Sequence, residues 1–195
     1  MPINEINTND KIIESDNNIL EILYNKLIET GTIDVSIRDL CKETGLSMGS
    51  LYYWFDNKDD LIVKTAEYGL QKILDAVALS ATVSNDSMEQ MFESWIETFP
   101  LYMKSFSFIH QVASDPKYSR MMNDMVSNSI VAYDKILKDM SSRFSADSDT
   151  TKAGAWLLYS SMLCYAIWGD KERFDLSLDY LRKTFKILKK EEEEQ

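Results

Sequence analysis

Histidine occurs once in the 195 residues, at His110, and cysteine twice, at Cys41 and Cys164. One imidazole cannot fill several acid–base roles. Two thiols so far apart, with no CxxC pair, suit neither a zinc site nor a disulfide framework. No metal and no cofactor is therefore expected, and both cysteines read as small buried apolar residues of a reduced, cytoplasmic protein. Also missing are a nucleophile elbow, a phosphate-binding glycine loop and an HExxH helix, so no enzyme is indicated. No apolar run reaches the roughly eighteen residues that a membrane span needs. The stretch from Met1 to Lys11 is polar and acidic, unlike a secretory signal. Glycine and proline are scarce, at six and three residues. With helix breakers so few, and long stretches rich in Leu, Met, Lys and Glu, the composition points to an all-α fold.

Positive charge is also short. The formal net charge is −11. Residues 1–75 carry seven basic against fourteen acidic residues, and residues 76–195 carry fourteen against eighteen. A nucleic-acid reader usually presents a basic patch. Any such activity here rests on a few well-placed groups.

Helical periodicity is strong throughout. Ile19, Leu20, Leu23, Leu27 and Ile28 define a first helix that stops before Gly31. Ser36 caps a short second helix over 37–44, which Gly45 ends, and Ser47 caps a third over 48–55. Asn57, with Asp60 three residues on, starts a fourth that continues through Leu61, Ile62, Ala66, Leu70, Ile73 and Val77. Residues 80–86 read as a loop, and Ser87 with Gln90 opens a helix through Met91, Trp95 and Phe99. Pro100 kinks that helix or separates it from the next. Asp115-Pro116 marks a turn before a helix over about 117–140, and residues 141–149 read as a loop. Helices over about 150–167 and 171–190 follow, joined by Gly169-Asp170. Glu191 to Gln195 reads as a frayed acidic end.

The second and third helices, joined by a tight turn, have helix-turn-helix geometry, with Leu40, Leu46, Leu51 and Phe55 as a small core. The third helix offers Met48, Gly49, Ser50, Tyr53 and Trp54 on its exposed face. Gly49 allows close backbone approach, Ser50 can bond a base edge, and Met48 can touch a thymine methyl. Tyr52 and Trp54 carry donors suited to phosphate oxygens. Lys58 lies in the first turn of the fourth helix, where backbone N–H groups also favour an anion.

The run Val35-Ser36-Ile37-Arg38-Asp39-Leu40-Cys41, then Thr44-Gly45-Leu46-Ser47-Met48-Gly49-Ser50-Leu51-Tyr52-Tyr53-Trp54-Phe55 and Asn57-Lys58-Asp59-Asp60-Leu61, resembles the head of the TetR/AcrR family. The likeness covers about residues 17–62. It implies base contacts from Arg38, Met48, Gly49, Ser50 and Tyr53, and phosphate contacts from Ser36, Ser47, Tyr52, Trp54 and Lys58. It departs from the family at Ile22 and Leu23, where two alanines are usual, at Asp16, near a commonly basic position, and at Cys41, a usual alanine. The implied architecture is a three-helix DNA-binding head over 1–60 and a helical ligand-binding and dimerisation domain over 61–195. The implied function is a ligand-responsive transcriptional regulator, a homodimer released from a palindromic double-stranded DNA operator. The rival reading is a helical ligand- or protein-binding module whose head no longer reads DNA, which the acidic head favours and Tyr52 and Lys58 oppose.

In the second part, Trp95, Phe99, Tyr102, Met103, Met121, Met125 and Tyr159 combine flat aromatic faces with flexible thioethers. They are the candidates for holding a small apolar or aromatic ligand. The segments 88–112 and 121–133 offer one cation, Lys104, so an anionic ligand is not expected. Phe174, Leu178, Leu181, Phe185 and Leu188 form a stripe spaced four, three, four, three on the last helix, read here as a subunit interface.

Overall fold

A computed structural model describes residues 8–83, 90, 94, 97–143 and 148–193. Among these, every regular element is a helix. The elements are α1 (Thr8–Thr30), α2 (Ile37–Thr44), α3 (Met48–Trp54) and α4 (Lys58–Val83), then a short 3-10 turn (Phe99–Tyr102). After it come α5 (Met103–Ser114), α6 (Ser119–Arg143), α7 (Ser148–Trp168) and α8 (Lys171–Glu193).

The described residues fall into two compact units. The first draws on Met1–Gly69 and Phe108–Met122. Its core holds Leu23 and Leu27 of α1, Leu40, Leu51 and Phe55 of the short helices, and Leu61, Ile62 and Ala66 of α4. Phe108, Val112, Tyr118 and Met122 are also buried in it, so the α5–α6 turn region belongs to the body of the head. Leu23, one of the residues that departs from the family pattern, is wholly buried. Full burial of such a side chain is worth about 1.5–3 kcal/mol. Leu51→Ala would therefore loosen α3 at a cost of about 2–5 kcal/mol.

The second unit draws on Leu70–Ser107 and Asn123–Gln195. Phe106, Leu158, Met162, Phe174, Leu178 and Leu181 are buried there. Helices α7 and α8 pack as a hairpin. The Tyr165 and Phe174 rings stack across it with centroids 5.3 Å apart. Asp170 caps α8 by accepting from the Arg173 N–H at 3.1 Å.

Several boundaries differ from the sequence reading. Helix α1 begins at Thr8 rather than near Ile19. The polar stretch before Ile19 lacks an apolar stripe but also lacks any breaker, so the helix extends through it. Helix α4 runs to Val83, since Ala78, Leu79 and Ala81 favour continuation over the loop expected from residue 80. Helix α6 likewise takes in 141–143, and α8 takes in 191–193. Pro100 does separate two helical segments, sitting in the first positions of the 3-10 turn. Most of the helix expected around Met91 and Trp95 lies outside the described residues, Trp95 included.

The stripe of α8 also needs correction. Phe174, Leu178 and Leu181 are 4%, 5% and 2% exposed within the single chain, so this part of the stripe is consumed as internal core. Phe185 and Leu188 have side chains outside the described set. The apolar surface left open on the hairpin is a different one, carrying Trp156, Ile167, Trp168, Leu176 and Tyr180.

Candidate nucleic-acid interface

The local chemistry of α2 and α3 is set by two serines. Ser36 Oγ accepts the Asp39 N–H at 3.0 Å and donates to the Asp39 carboxylate at 2.5 Å. Ser47 Oγ accepts the Ser50 N–H at 2.9 Å and lies 3.0 Å from Ser50 Oγ. Each bond satisfies a backbone donor that a helix start leaves open. Between the helices, Gly45 takes φ 74° and its N–H closes on the Cys41 carbonyl at 3.0 Å. Only a residue tolerant of the left-handed region turns the chain so tightly there. Two buried leucines, Leu40 and Leu51, then fix one helix against the other.

What this scaffold presents is aromatic and apolar. Tyr53 is 73% exposed, Tyr52 53% and Met48 48%. Such exposure of large groups on one seven-residue helix has no purpose in the chain's own core. Trp54 is half-buried, and its ring meets that of Tyr53 edge to face, with centroids 4.6 Å apart. A Cβ at Gly49 would meet nothing nearer than Ser47 Oγ at 3.7 Å. Internal packing therefore does not require a glycine at 49. Arg38, Ser36 and Ser47 are exposed, while Ser50 and Lys58 are half-buried. All ten residues singled out in the sequence thus lie on α2, α3, their caps or the first position of α4.

The start of α4 is dense in charge. The Asn57 side chain accepts the Asp60 N–H at 3.0 Å. Asp60 pairs with Lys64 at 2.9 Å, and Lys64 also reaches the Trp54 carbonyl at 3.5 Å, tying α3 to α4. Asp59 pairs at 2.5 Å with Lys117, far along the chain, and accepts a bond from Tyr118 Oη at 3.3 Å. The Lys117 ammonium holds the Asp59 carboxyl below its ordinary range. Lys26 is engaged by Glu29 and Glu43. Sequence reasoning missed the Asp59–Lys117–Tyr118 cluster, because nothing local to either segment signals the pairing.

The ligand candidates are distributed as follows. Phe99 is buried, and Tyr102, Met103 and Met125 are half-buried. Tyr159 is 39% exposed and meets Phe106 and Trp156 edge to face. These belong to the second unit, whereas Met121 falls in the first and is 48% exposed. Lys104 is exposed. Among the described residues no group of three or more His, Cys, Asp or Glu is placed to hold a metal ion. Nor is any described helix long and apolar enough to cross a membrane.

Two short capped helices, a left-handed glycine between them and an exposed aromatic second helix define a helix-turn-helix protein. Residues 23–65 match the family described as bacterial regulatory proteins, tetR family. The chain is 24% identical over 107 residues to the HTH-type transcriptional regulator PksA of Bacillus subtilis (strain 168). That alignment covers 55% of this chain and 52% of PksA, so it spans about half of the curated relative. A TetR family transcription regulator from Marinobacter aquaeolei VT8 shares the fold, with a TM-score of 0.54 and 15% identity over 89% of this chain and 97% of that one. The family match thus covers the helix-turn-helix head, and over the rest of the chain the likeness to the solved regulator is one of fold.

Proposed function

We propose that this protein is a homodimeric, cytoplasmic repressor that binds a palindromic operator and leaves it when a small apolar molecule binds its helical domain. The observation that carries the reading is the exposure of Met48, Tyr52 and Tyr53 on a helix held rigid at both ends. Residues 1–60 act as the reader and 61–195 as sensor and dimerisation domain. Arg38, Met48, Gly49, Ser50 and Tyr53 read base edges, and Ser36, Ser47, Tyr52, Trp54 and Lys58 grip phosphates. The helix starts at Ser36 and Ser47 add N–H dipoles that favour the phosphates.

One head per chain implies a dimer, whose recognition helices meet successive major grooves about 34–36 Å apart. The open apolar surface of the α7–α8 hairpin, with Trp156, Ile167, Trp168, Leu176 and Tyr180, is suited to a second copy. A change of a few ångströms in head separation, driven by a ligand among Phe99, Tyr102, Met103, Met125, Tyr159, Trp95 and Met121, is enough to abolish paired binding.

The acidic head favours a second reading, a ligand- or protein-binding module that has lost DNA. Selection of bound duplexes from a random pool decides between them. A palindromic consensus supports repression, and no enrichment above an unrelated acidic helical protein sinks it.

A further inference from the structure

The start of α4 contains a conflict. Asp59 and Asp60 in its first turn suit the helix, because carboxylates complement the open N–H groups there. The same carboxylates, next to Lys58 and following Asp56, oppose a DNA phosphate. Asp60 is answered locally by Lys64, one turn on. Asp59 is answered from far along the chain, by Lys117 in the turn between α5 and α6.

We propose that Lys117 is a determinant of DNA affinity lying outside the helix-turn-helix, because it neutralises Asp59 beside the phosphate-gripping Lys58. Several features make the pairing a built one. The Lys117 backbone N–H donates to the Asp115 side chain at 2.8 Å, which shapes the turn after Pro116. The Lys117 ammonium lies 5.2 Å from the centre of the Tyr118 ring, and that buried ring sends its hydroxyl to the same carboxylate. Lysine and tyrosine thus converge on one aspartate from a segment that is part of the head's own compact unit.

Lys58 and Lys64 share the start of α4 with Asp56, Asp59 and Asp60, and Lys117 adds a third positive charge to them. Losing it makes the patch one charge more acidic where the duplex would approach. In a head with twice as many acidic as basic residues over 1–75, one such charge carries weight. The ion pair itself adds little to folding, since both groups are solvated. Its effect is on the field met by DNA.

This inference rests on the DNA-binding reading above, and the experiment separates the two. Affinity for a 30-base-pair mixed-sequence duplex is measured by fluorescence anisotropy at low salt, for the full-length protein and three variants. Lys117→Gln is expected to weaken binding about three- to tenfold, an effect that fades as salt rises. Asp59→Asn is expected to bind as tightly as the wild type or more tightly, and Asp59→Asn/Lys117→Gln to return to the wild-type level. If the pair acted only as a mechanical fastener, Asp59→Asn would weaken binding as much as Lys117→Gln, and that result overturns the proposal. So does a Lys117→Gln protein that binds like the wild type. Wild-type protein that does not bind duplex DNA at any salt overturns the DNA-binding reading itself, and this inference with it. Thermal melts of each variant by circular dichroism show that the heads compared are folded.

Discussion

Tyr24 on α1 packs against Gly69 on α4, so closely that a Cβ at position 69 would come within 2.5 Å of the ring's Cε2 and 3.0 Å of its Cδ2. Tyr24 is 3% exposed, and its ring is also held edge to face by Tyr68, 5.7 Å away. The Tyr68 hydroxyl in turn donates to Glu21. A glycine inside a 26-residue helix costs about 1 kcal/mol against alanine, so its place here is earned by close approach rather than by propensity.

Gly69→Ala is therefore expected to destabilise the protein by a net ~1–2 kcal/mol in urea unfolding, as overpacking outweighs the gain in helix propensity. The same change in a Tyr24→Leu background, where the ring is gone, should be neutral or stabilising. A stabilised Gly69→Ala single variant would refute the close packing.

Much of this was legible in the sequence, and the parts that were not have physical reasons. The helix-turn-helix announced itself because its signals are local: Ser36 and Ser47 each cap the residue three positions on, and Gly45 turns the chain where it stands. The ends of α1, α4 and α6 were misplaced because polar residues without a breaker carry no boundary signal. The α8 stripe was recognised, but periodicity shows only that one face is apolar. It does not say whether α7 or a second copy covers that face, and Phe174 is covered by Tyr165. Lys117 with Asp59, and Tyr24 with Gly69, are pairings across long sequence separations, which no local pattern encodes.

In the proposed reading, phosphate grips and base readers should separate by their sequence dependence. Lys58→Ala is expected to weaken all duplexes about equally and to reduce the dependence of log affinity on log salt by about one. Arg38→Ala and Ser50→Ala should also relax the preferred operator, losing about 1–3 kcal/mol of discrimination at one position. Competition binding against operator variants checks both. A Lys58→Ala protein with altered sequence preference and intact affinity would reverse the assigned roles.

Ser47 serves as a cap and, in the proposed reading, as a phosphate contact. Ser47→Ala should cost about 1 kcal/mol of stability through the lost bond to the Ser50 N–H. Ser47→Asp keeps a capping oxygen but adds a negative charge. It should be about as stable as the wild type and bind DNA distinctly less well. Equal DNA binding by the Ala and Asp variants would remove Ser47 from the interface.

The Asp59–Lys117 pair also predicts a pH window. The Asp59 carboxyl is held below its ordinary 3.8, chiefly by the Lys117 hydrogen bond, and the Lys117 ammonium above its ordinary 10.5, chiefly by Asp59. For the acid, the stabilisation is present above 3.8 and lost as pH falls through the lower folded value. For the base, it is present below 10.5 and lost as pH rises through the higher one. Tyr118, raised by burial, and Lys58 are the other titratable groups acting on the pair. The difference in melting temperature between wild type and Lys117→Gln, small because the pair is solvated, should therefore be constant from about pH 5 to 9 and vanish towards either extreme. A difference that grew on acidification would mean that Asp59 is not its source.

The open apolar surface of α7 and α8 yields the last prediction, on assembly. Trp156 and Ile167 are eleven residues apart, three helical turns, and so share one face of α7; Leu176 and Tyr180 are four apart and share one of α8. Trp168, at the end of α7, is 72% exposed, and Leu176 and Tyr180 are 62% and 63% exposed. By contrast, Leu178 is 5% exposed within one chain. Leu176→Glu with Trp168→Glu is therefore expected to give a folded monomer with unchanged helical content, whereas Leu178→Glu should unfold the hairpin. Sedimentation at micromolar concentration, paired with circular dichroism, distinguishes the outcomes. The folded monomer should lose operator binding as well, because a single head contacts one half-site and forfeits the second. A wild-type protein that sediments as a monomer at that concentration would show that this face serves something other than a second copy.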